Sequence, residues 1–288
     1  MEYVEFNECP ACMSIDSKIW LKDKSTTKFV ICNRCGSIYS NPRVSKAIRF
    51  NKLDQIFSYG KNSIKIGESR INSLQKQAEY IKQYISTGVI LDIGCDLGDF
   101  FTFFPTEQWD KYGAEVSFSA AEYAEKKYQA KVFPGVITES NFPENFFHVV
   151  SMLDTIYYID NPIEDLQYIH RLLKSNGVLA IEIPGVKYQM LRSNGMLSYL
   201  LEKKYSRISS DSTYVSWLSF EGMKIISQKT GFDIIKIFPI KTSMVQNRPL
   251  YTFLSNLYYF IVTKIPFDHD RYYDWFPKYL LILKKNES

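Results

Sequence analysis

The chain predicts an α/β fold, a seven-stranded and mainly parallel sheet covered by helices, carried behind a small four-cysteine unit. Three observations lead there. Apolar strand-like runs alternate with helical patterns from residue 89 onward. Two C-x2-C pairs, Cys9 with Cys12 and Cys32 with Cys35, stand at the front. Between them and the rest, VILDIGCDLGDF (89–100) writes a buried strand that runs through an acid into a turn with two glycines. At 288 residues the chain suffices for one substantial domain and a small accessory unit. The expected division is a metal ribbon over 1–42, a helical linker over 43–86 and an α/β domain over 87–288, with insertions at 186–213 and 241–277.

The cysteines read C-x2-C-x19-C-x2-C, and KIWLKDKSTTKFVI between the pairs reads as strand, polar turn, strand. Each pair presents two thiolates from one turn, so two turns complete a closed tetrahedral Zn2+ site at Cys9, Cys12, Cys32 and Cys35. Redox dithiols and two disulfides are the alternatives. A reducing compartment disfavours structural disulfides, and the strand-to-helix context of a redox pair is missing. Such a metal folds the segment and does no chemistry.

In the larger part, Ile71, Leu74, Ala78, Ile81 and Ile85 form one stripe of a helix over about Arg70 to Tyr84. Strands are expected at Val89–Ile93, Tyr112–Val116, Lys131–Phe133, Phe147–Leu153, Gly177–Ile183, Phe232–Ile240 and Lys278–Lys284. Ser119 with Glu122 reads as a capping box, and Asn161-Pro162 with Glu164 as a helix start. Asn176-Gly177 is expected to stop that second helix.

Composition narrows the chemistry. With 21 Tyr and 20 Phe against 3 His, the choice of imidazole bases is small. A net charge of +4 and no basic run disfavour nucleic acid as a partner. MEYVEFNECP has no basic stretch followed by an apolar one, so a cytoplasmic protein is expected, at most peripheral to the inner face of the membrane.

In an open sheet of this kind ligands lie at the carboxyl ends of the strands. Loop 94–98, Glu115 at the end of the second strand and Asp154 after the fourth fall on that edge. A dinucleotide loop would have glycine where Asp96 and Asp99 stand, and no phosphate-cradling G-x-x-x-x-G-K-[ST] loop occurs. An acid-rich loop suits a cation, such as a sulfonium with an ammonium group. Asp also tolerates a left-handed turn, so Asp96 can keep the shape of the loop.

LDIGCDLGDF, YGAEVSFSAAEYA, FFHVVSMLDTIYYIDNP, IHRLLKSNGVLAIEIPG and LSFEGMKIISQKTGF in this order resemble the motifs of class I S-adenosylmethionine-dependent methyltransferases. They are particularly similar to sugar and small-molecule enzymes related to ubiquinone-biosynthesis O-methyltransferases, some of which carry an N-terminal zinc ribbon. The resemblance covers about residues 87–240. It implies a Rossmann-like seven-stranded methyltransferase sheet whose last strand is antiparallel, and S-adenosyl-L-methionine as cofactor. Carried over, Asp92 organises the loop, Gly94 and Gly98 admit the methionine part, Glu115 binds the ribose, Val136 and Ile137 flank the adenine, and Asp154 lies near methionine and acceptor. Cys95, as a small packed residue, Asp96 and Val116 complete the expected cofactor set. The chain departs from the pattern at Phe147-His148, where Phe-Asp is usual, and at Tyr157-Tyr158, where Glu-His is frequent.

The implied reaction is in-line methyl transfer to a hydroxyl of a sugar, a surface-glycan precursor or a small metabolite, which also needs a proton acceptor. Asp154, Tyr157, Tyr158 and Glu182 are the catalytic candidates, with Tyr188 behind them, although Glu182 reads first as an exposed or hydrogen-bonded strand-end acid. His148 falls at the wrong end of the sheet, His170 on a helix and His269 in a late loop. The alternatives are a zinc-ribbon adaptor, an RNA-directed methyltransferase and a non-catalytic cofactor-binding scaffold. The helix expected at 248–265 either packs over the sheet or lies at a membrane surface for a lipid-linked acceptor.

Overall fold

The computed structural model describes residues 2–22, 27–60, 67–193, 214–241, 249–264 and 272–286. The front of the chain forms β1 (Tyr3–Val4), β2 (Ser17–Lys22), β3 (Lys28–Cys32), β4 (Ile38–Ser40) and β5 (Arg43–Val44). The two strands expected between the cysteine pairs are β2 and β3, antiparallel with Ser17 opposite Cys32, and the turn expected between them lies largely outside the described residues. The sheet of this unit does not close on its own residues. Its edge is β11 (Ser216–Trp217), which pairs with β4 through Ser216–Tyr39 and Trp217–Ile38, so the unit and the α/β body share one sheet.

The body is a seven-stranded sheet of β6 (Gly88–Ile93), β7 (Trp109–Glu115), β8 (Lys131–Pro134), β9 (Phe147–Leu153), β10 (Leu173–Ile183), β12 (Phe232–Ile240) and β13 (Lys278–Lys285). The spatial order is β12-β13-β10-β9-β6-β7-β8. β6 to β10 run parallel, and β13 is antiparallel to both β10 and β12. The order reverses between β6 and β9, which opens a crevice at their carboxyl ends.

The described α-helices are α1 (Lys46–Gly60), α2 (Glu68–Lys82), α3 (Phe118–Tyr128), α4 (Pro162–Leu172), α5 (Val186–Ser193), α6 (Phe220–Lys229) and α7 (Pro249–Lys264). Successive strand residues point to opposite faces, and the cores divide accordingly. Ile90 and Val149 pack with Leu74, Ala78 and Ile81 of α2, whereas Leu91 and Val150 pack with Leu166 and Ile169 of α4. These strands are covered on both faces, which explains why they read as unbroken apolar runs.

Three local expectations change. Ile71 is 43% exposed and leaves the α2 stripe. The cap of α3 is Ser117, not Ser119: the Ser117 hydroxyl accepts from the Ala120 amide at 3.2 Å and donates to Asp54 of α1 at 2.7 Å. That tertiary anchor selects the earlier serine. Asn176-Gly177 is no helix stop. α4 ends at Leu172, and the pair lies within β10 at a register irregularity between Leu173 and Val178. At α4 the Asn161 side chain accepts from the Glu164 amide, with Pro162 at the first position, as expected.

Candidate active site and four-cysteine centre

The loop after β6 is shaped by three left-handed residues. Gly94 has φ 69°, and a Cβ there would lie 2.4 Å from the Thr155 Oγ1, so glycine is required by backbone and neighbour alike. Asp96 has φ 52°, the conformation expected of it, and its Oδ1 accepts from the Leu97 amide at 2.6 Å. Gly98 closes the loop at φ 78°.

Glu115 at the end of β7 ties the loop to the next element. Its two oxygens accept from the amides of Asp96 at 3.0 Å and Ser117 at 2.8 Å. Each oxygen keeps a further lone pair for a ligand hydroxyl. Asp92 accepts from the Ser151 hydroxyl at 2.7 Å. Burial pushes the Asp92 and Glu115 carboxyls up to about 7 and the Asp96 carboxyl up to about 6, against the lowering by those hydrogen bonds. Arg70 lowers Asp92 and Asp96 only in part, so burial prevails for all three acids.

A cavity of about 460 Å³ opens over this loop, within the range of small-molecule sites. Asp92, Gly94, Cys95, Asp96, Glu115, Val116, Val136 and Ile137 line it, as do Asp154, Tyr157 and Tyr158. Gly98 and Glu182 do not. Cys95 is buried in the turn, with its thiol pushed well up by burial.

Asp154, at φ 61° after β9, sits in a cluster of opposed charges. Arg70 of α2 donates to it at 2.9 Å, and Lys278 at the start of β13 contacts both its oxygens. Glu182 lies beneath at 0% exposure, 3.1 Å from Lys278 and 3.7 Å from Arg70, and accepts from Gln77 at 2.7 Å. Burial favours the protonated Asp154, but Lys278 and Arg70 outweigh it and hold the carboxyl below its ordinary value. For Glu182 burial prevails, with Asp154 adding to it, and its carboxyl rises. Tyr157 is pushed well up by burial and by Asp154. Tyr158 stacks on Tyr214, ring centroids 5.2 Å apart at 22°.

His148 lies at the amino end of the sheet, where its Nδ1 accepts from the Val89 amide at 3.0 Å, and His170 packs on the ring of Phe232. Tyr188 is buried on α5, and His269 falls outside the described residues. Sequence reasoning missed Arg70, Lys278, Asp165 and the α1 residues Lys46, Phe50 and Leu53. All but Lys278 line the cavity. A signal for Arg70 was present: positions 70, 74, 77 and 81 share a helical face, and the last three are buried.

Residues 70–237, more than half of the chain, match the family model described as a methyltransferase domain. The chain belongs to this family. It is an S-adenosylmethionine-dependent methyltransferase. No curated protein matches it. Among solved structures, it is similar to a possible histamine N-methyltransferase from Thermotoga maritima, at 18% identity and TM-score 0.53 over 83% of this chain and 100% of that one. It is also similar to a putative methyltransferase from Listeria monocytogenes, at 13% identity and TM-score 0.53 over 75% and 99% of the two chains. A Haloferax volcanii complex of the Trm112 methyltransferase activator with a putative methyltransferase aligns at 12% identity and TM-score 0.54 over 82% and 98%. At these identities the likeness concerns the fold.

The residues present fit the cofactor that this methyltransferase family implies. The buried acids, which Arg70 offsets only in part, suit a cofactor bearing sulfonium and ammonium charge, and the cavity places Arg70 where a carboxylate can pair with it. S-adenosylmethionine supplies the electrophilic methyl group. Glu115 would hold its ribose hydroxyls, Val136 and Ile137 would flank its ring, and the loop backbone would meet its amino-acid part.

The four cysteines fit zinc. Their Sγ atoms lie within 4.8 Å of one another, at 3.6 Å between Cys9 and Cys35 and 3.5 Å between Cys12 and Cys32. A tetrahedron of thiolates about 2.3 Å from zinc has edges of about 3.8 Å, whereas a disulfide needs about 2 Å. The centre is remote in chemistry yet joined to the cavity wall. Ser219 donates to the Cys35 carbonyl and its amide donates to Ser37, and Val215 donates to the Tyr157 carbonyl at 2.8 Å. Trp217 stacks on Phe29 of β3, with Tyr157 in the same cluster.

Proposed function

We propose that this methyltransferase acts on a hydroxyl of a sugar, a surface-glycan precursor or a related small metabolite, in the reducing environment of the cytoplasm that a four-thiolate centre needs. One observation carries the acceptor class. The wall at Tyr157–Asp165 sets tyrosine faces beside the acids Asp160, Glu164 and Asp165, while the cavity-lining cations Arg70 and Lys46 both have acidic partners. Aromatic faces with carboxylates suit a polyhydroxylated ring, and among the described residues lining the cavity there is no stripe of unpaired cations for a phosphate backbone.

A hydroxyl must lose its proton as the methyl group arrives. Asp154 is neutralised by two cations and Tyr157 holds its proton. Asp165 lines the cavity, and burial, with Glu164 adding to it, pushes its carboxyl up to about 7. A carboxylate near neutrality is the efficient base, and Asp165 fills that role in this reading. The test is Asp165→Asn, assayed with labelled S-adenosylmethionine on glycan and small-metabolite fractions. Turnover is expected to fall about 100-fold or more and lose its acidic pH limb, with cofactor affinity kept. Lost cofactor affinity, or an unaltered pH profile, overturns the assignment, and methyl incorporation into RNA alone overturns the acceptor class.

A further inference from the structure

Helix α7 is held to the body by one face. The Tyr258 hydroxyl donates to the Trp275 carbonyl at 2.6 Å, the Tyr259 hydroxyl donates to the Pro239 carbonyl at 3.3 Å, and Val262 packs against the main core. On the outside stand Phe253, Leu257, Phe260 and Ile261, at 62%, 43%, 59% and 43% exposure. Steps of four, three and one residues put these four on one stripe of the helix, where a soluble surface would carry polar groups.

The charge around that stripe selects what meets it. The described residues flanking and forming it, Lys241 and Pro249–Lys264, include no Asp or Glu, and their charged residues are Lys241 and Lys264. A second copy would set cation-flanked faces against each other, whereas an anionic lipid surface complements them. Sixteen residues of helix span about 24 Å, short of the roughly 30 Å hydrocarbon layer, and among the described residues no helix is long and apolar enough to cross a membrane. The geometry is that of a helix lying in the interface.

Its place in the fold relates it to the site. Pro239, which Tyr259 holds, pairs with Tyr279, and so does Ile183 at the carboxyl end of β10. The neighbour of Tyr279, Lys278, contacts Asp154 on the cavity wall. α7 thus flanks the rim on which the cavity opens.

We propose that the outer face of α7 seats on the headgroup region of an anionic bilayer and brings the cavity rim to the membrane surface. The inference is independent of the acceptor class. The test is flotation of the full chain with vesicles of phosphatidylcholine alone and of phosphatidylcholine with about one third phosphatidylglycerol. Retention is expected on the anionic vesicles, with release near 0.5 M salt, roughly where screening is short-ranged. Phe260→Glu with Ile261→Glu should cut the bound fraction about tenfold or more, and Lys264→Glu about fivefold or more. Both variants should keep cofactor affinity, since these side chains face away from the body. Three results overturn the proposal: no retention on anionic vesicles, equal retention of both variants, or a concentration-dependent dimer that Phe260→Glu abolishes in a chain that ignores vesicles.

Discussion

Glu115 offers a quantitative test of the cofactor site. Its oxygens are oriented by the Asp96 and Ser117 amides at 3.0 and 2.8 Å, and each keeps a lone pair with which it could accept from one of two vicinal hydroxyls. A hydrogen bond to a charged group contributes about 1.5–3 kcal/mol. Glu115→Ala therefore weakens S-adenosylmethionine binding by at least about tenfold if one bond is lost and by about 100-fold or more if both are. The wild-type carboxyl is raised by burial to about 7, and only its ionised form accepts from both hydroxyls. At pH 6 about a tenth of it is ionised, so the ratio of wild-type to variant affinity shrinks roughly tenfold between pH 8 and pH 6. Isothermal calorimetry at both pH values measures this, with thermal melting to verify that the variant folds. S-adenosylhomocysteine separates the causes, because it has the ribose and lacks the sulfonium charge. Equal losses for both ligands identify ribose binding. A loss confined to S-adenosylmethionine, or unchanged affinity for both, refutes the ribose assignment.

Asp92, Asp96 and Glu115 have folded values above their ordinary ones. From about pH 4 to 7 the folded chain therefore holds protons that the unfolded chain has released, and these groups' stabilisation declines as pH rises through that window. S-adenosylmethionine should accordingly raise the melting temperature more at pH 8 than at pH 5.5, as differential scanning fluorimetry will show. Lys278→Met leaves Asp154 and Glu182 with one cation in place of two, and urea unfolding should show a loss of about 3–5 kcal/mol, partly recovered when Glu182→Leu is added. Metal analysis is expected to find one zinc per chain. Its removal should loosen the wall that Trp217 and Tyr157 share with the cysteine unit, seen as altered tryptophan fluorescence and weakened acceptor binding, while cofactor affinity is largely kept.

What was legible in the sequence and what was not divides by the range of the interactions. The cysteine spacing, the loop glycines and the left-handed Asp96 are local matters, set by ligand geometry and by φ, and they read directly from one segment. The seven strands read well because parallel strands covered on both faces are continuous apolar runs. The α3 cap was misplaced by two residues because the winning serine is the one that Asp54, 63 positions earlier, holds in place. The largest omission has the same origin. Arg70 precedes β6 and Lys278 opens the final strand, yet the antiparallel return of β13 carries Lys278 to the carboxyl edge, beside Asp154. Two carboxylates that read as candidate bases are thereby turned into members of an ion-paired floor, one in the cavity wall and one sealed beneath it. Spacing alone marked acids at strand ends. The cations that decide whether such acids take protons come from the opposite ends of the chain, and it is topology that delivers them.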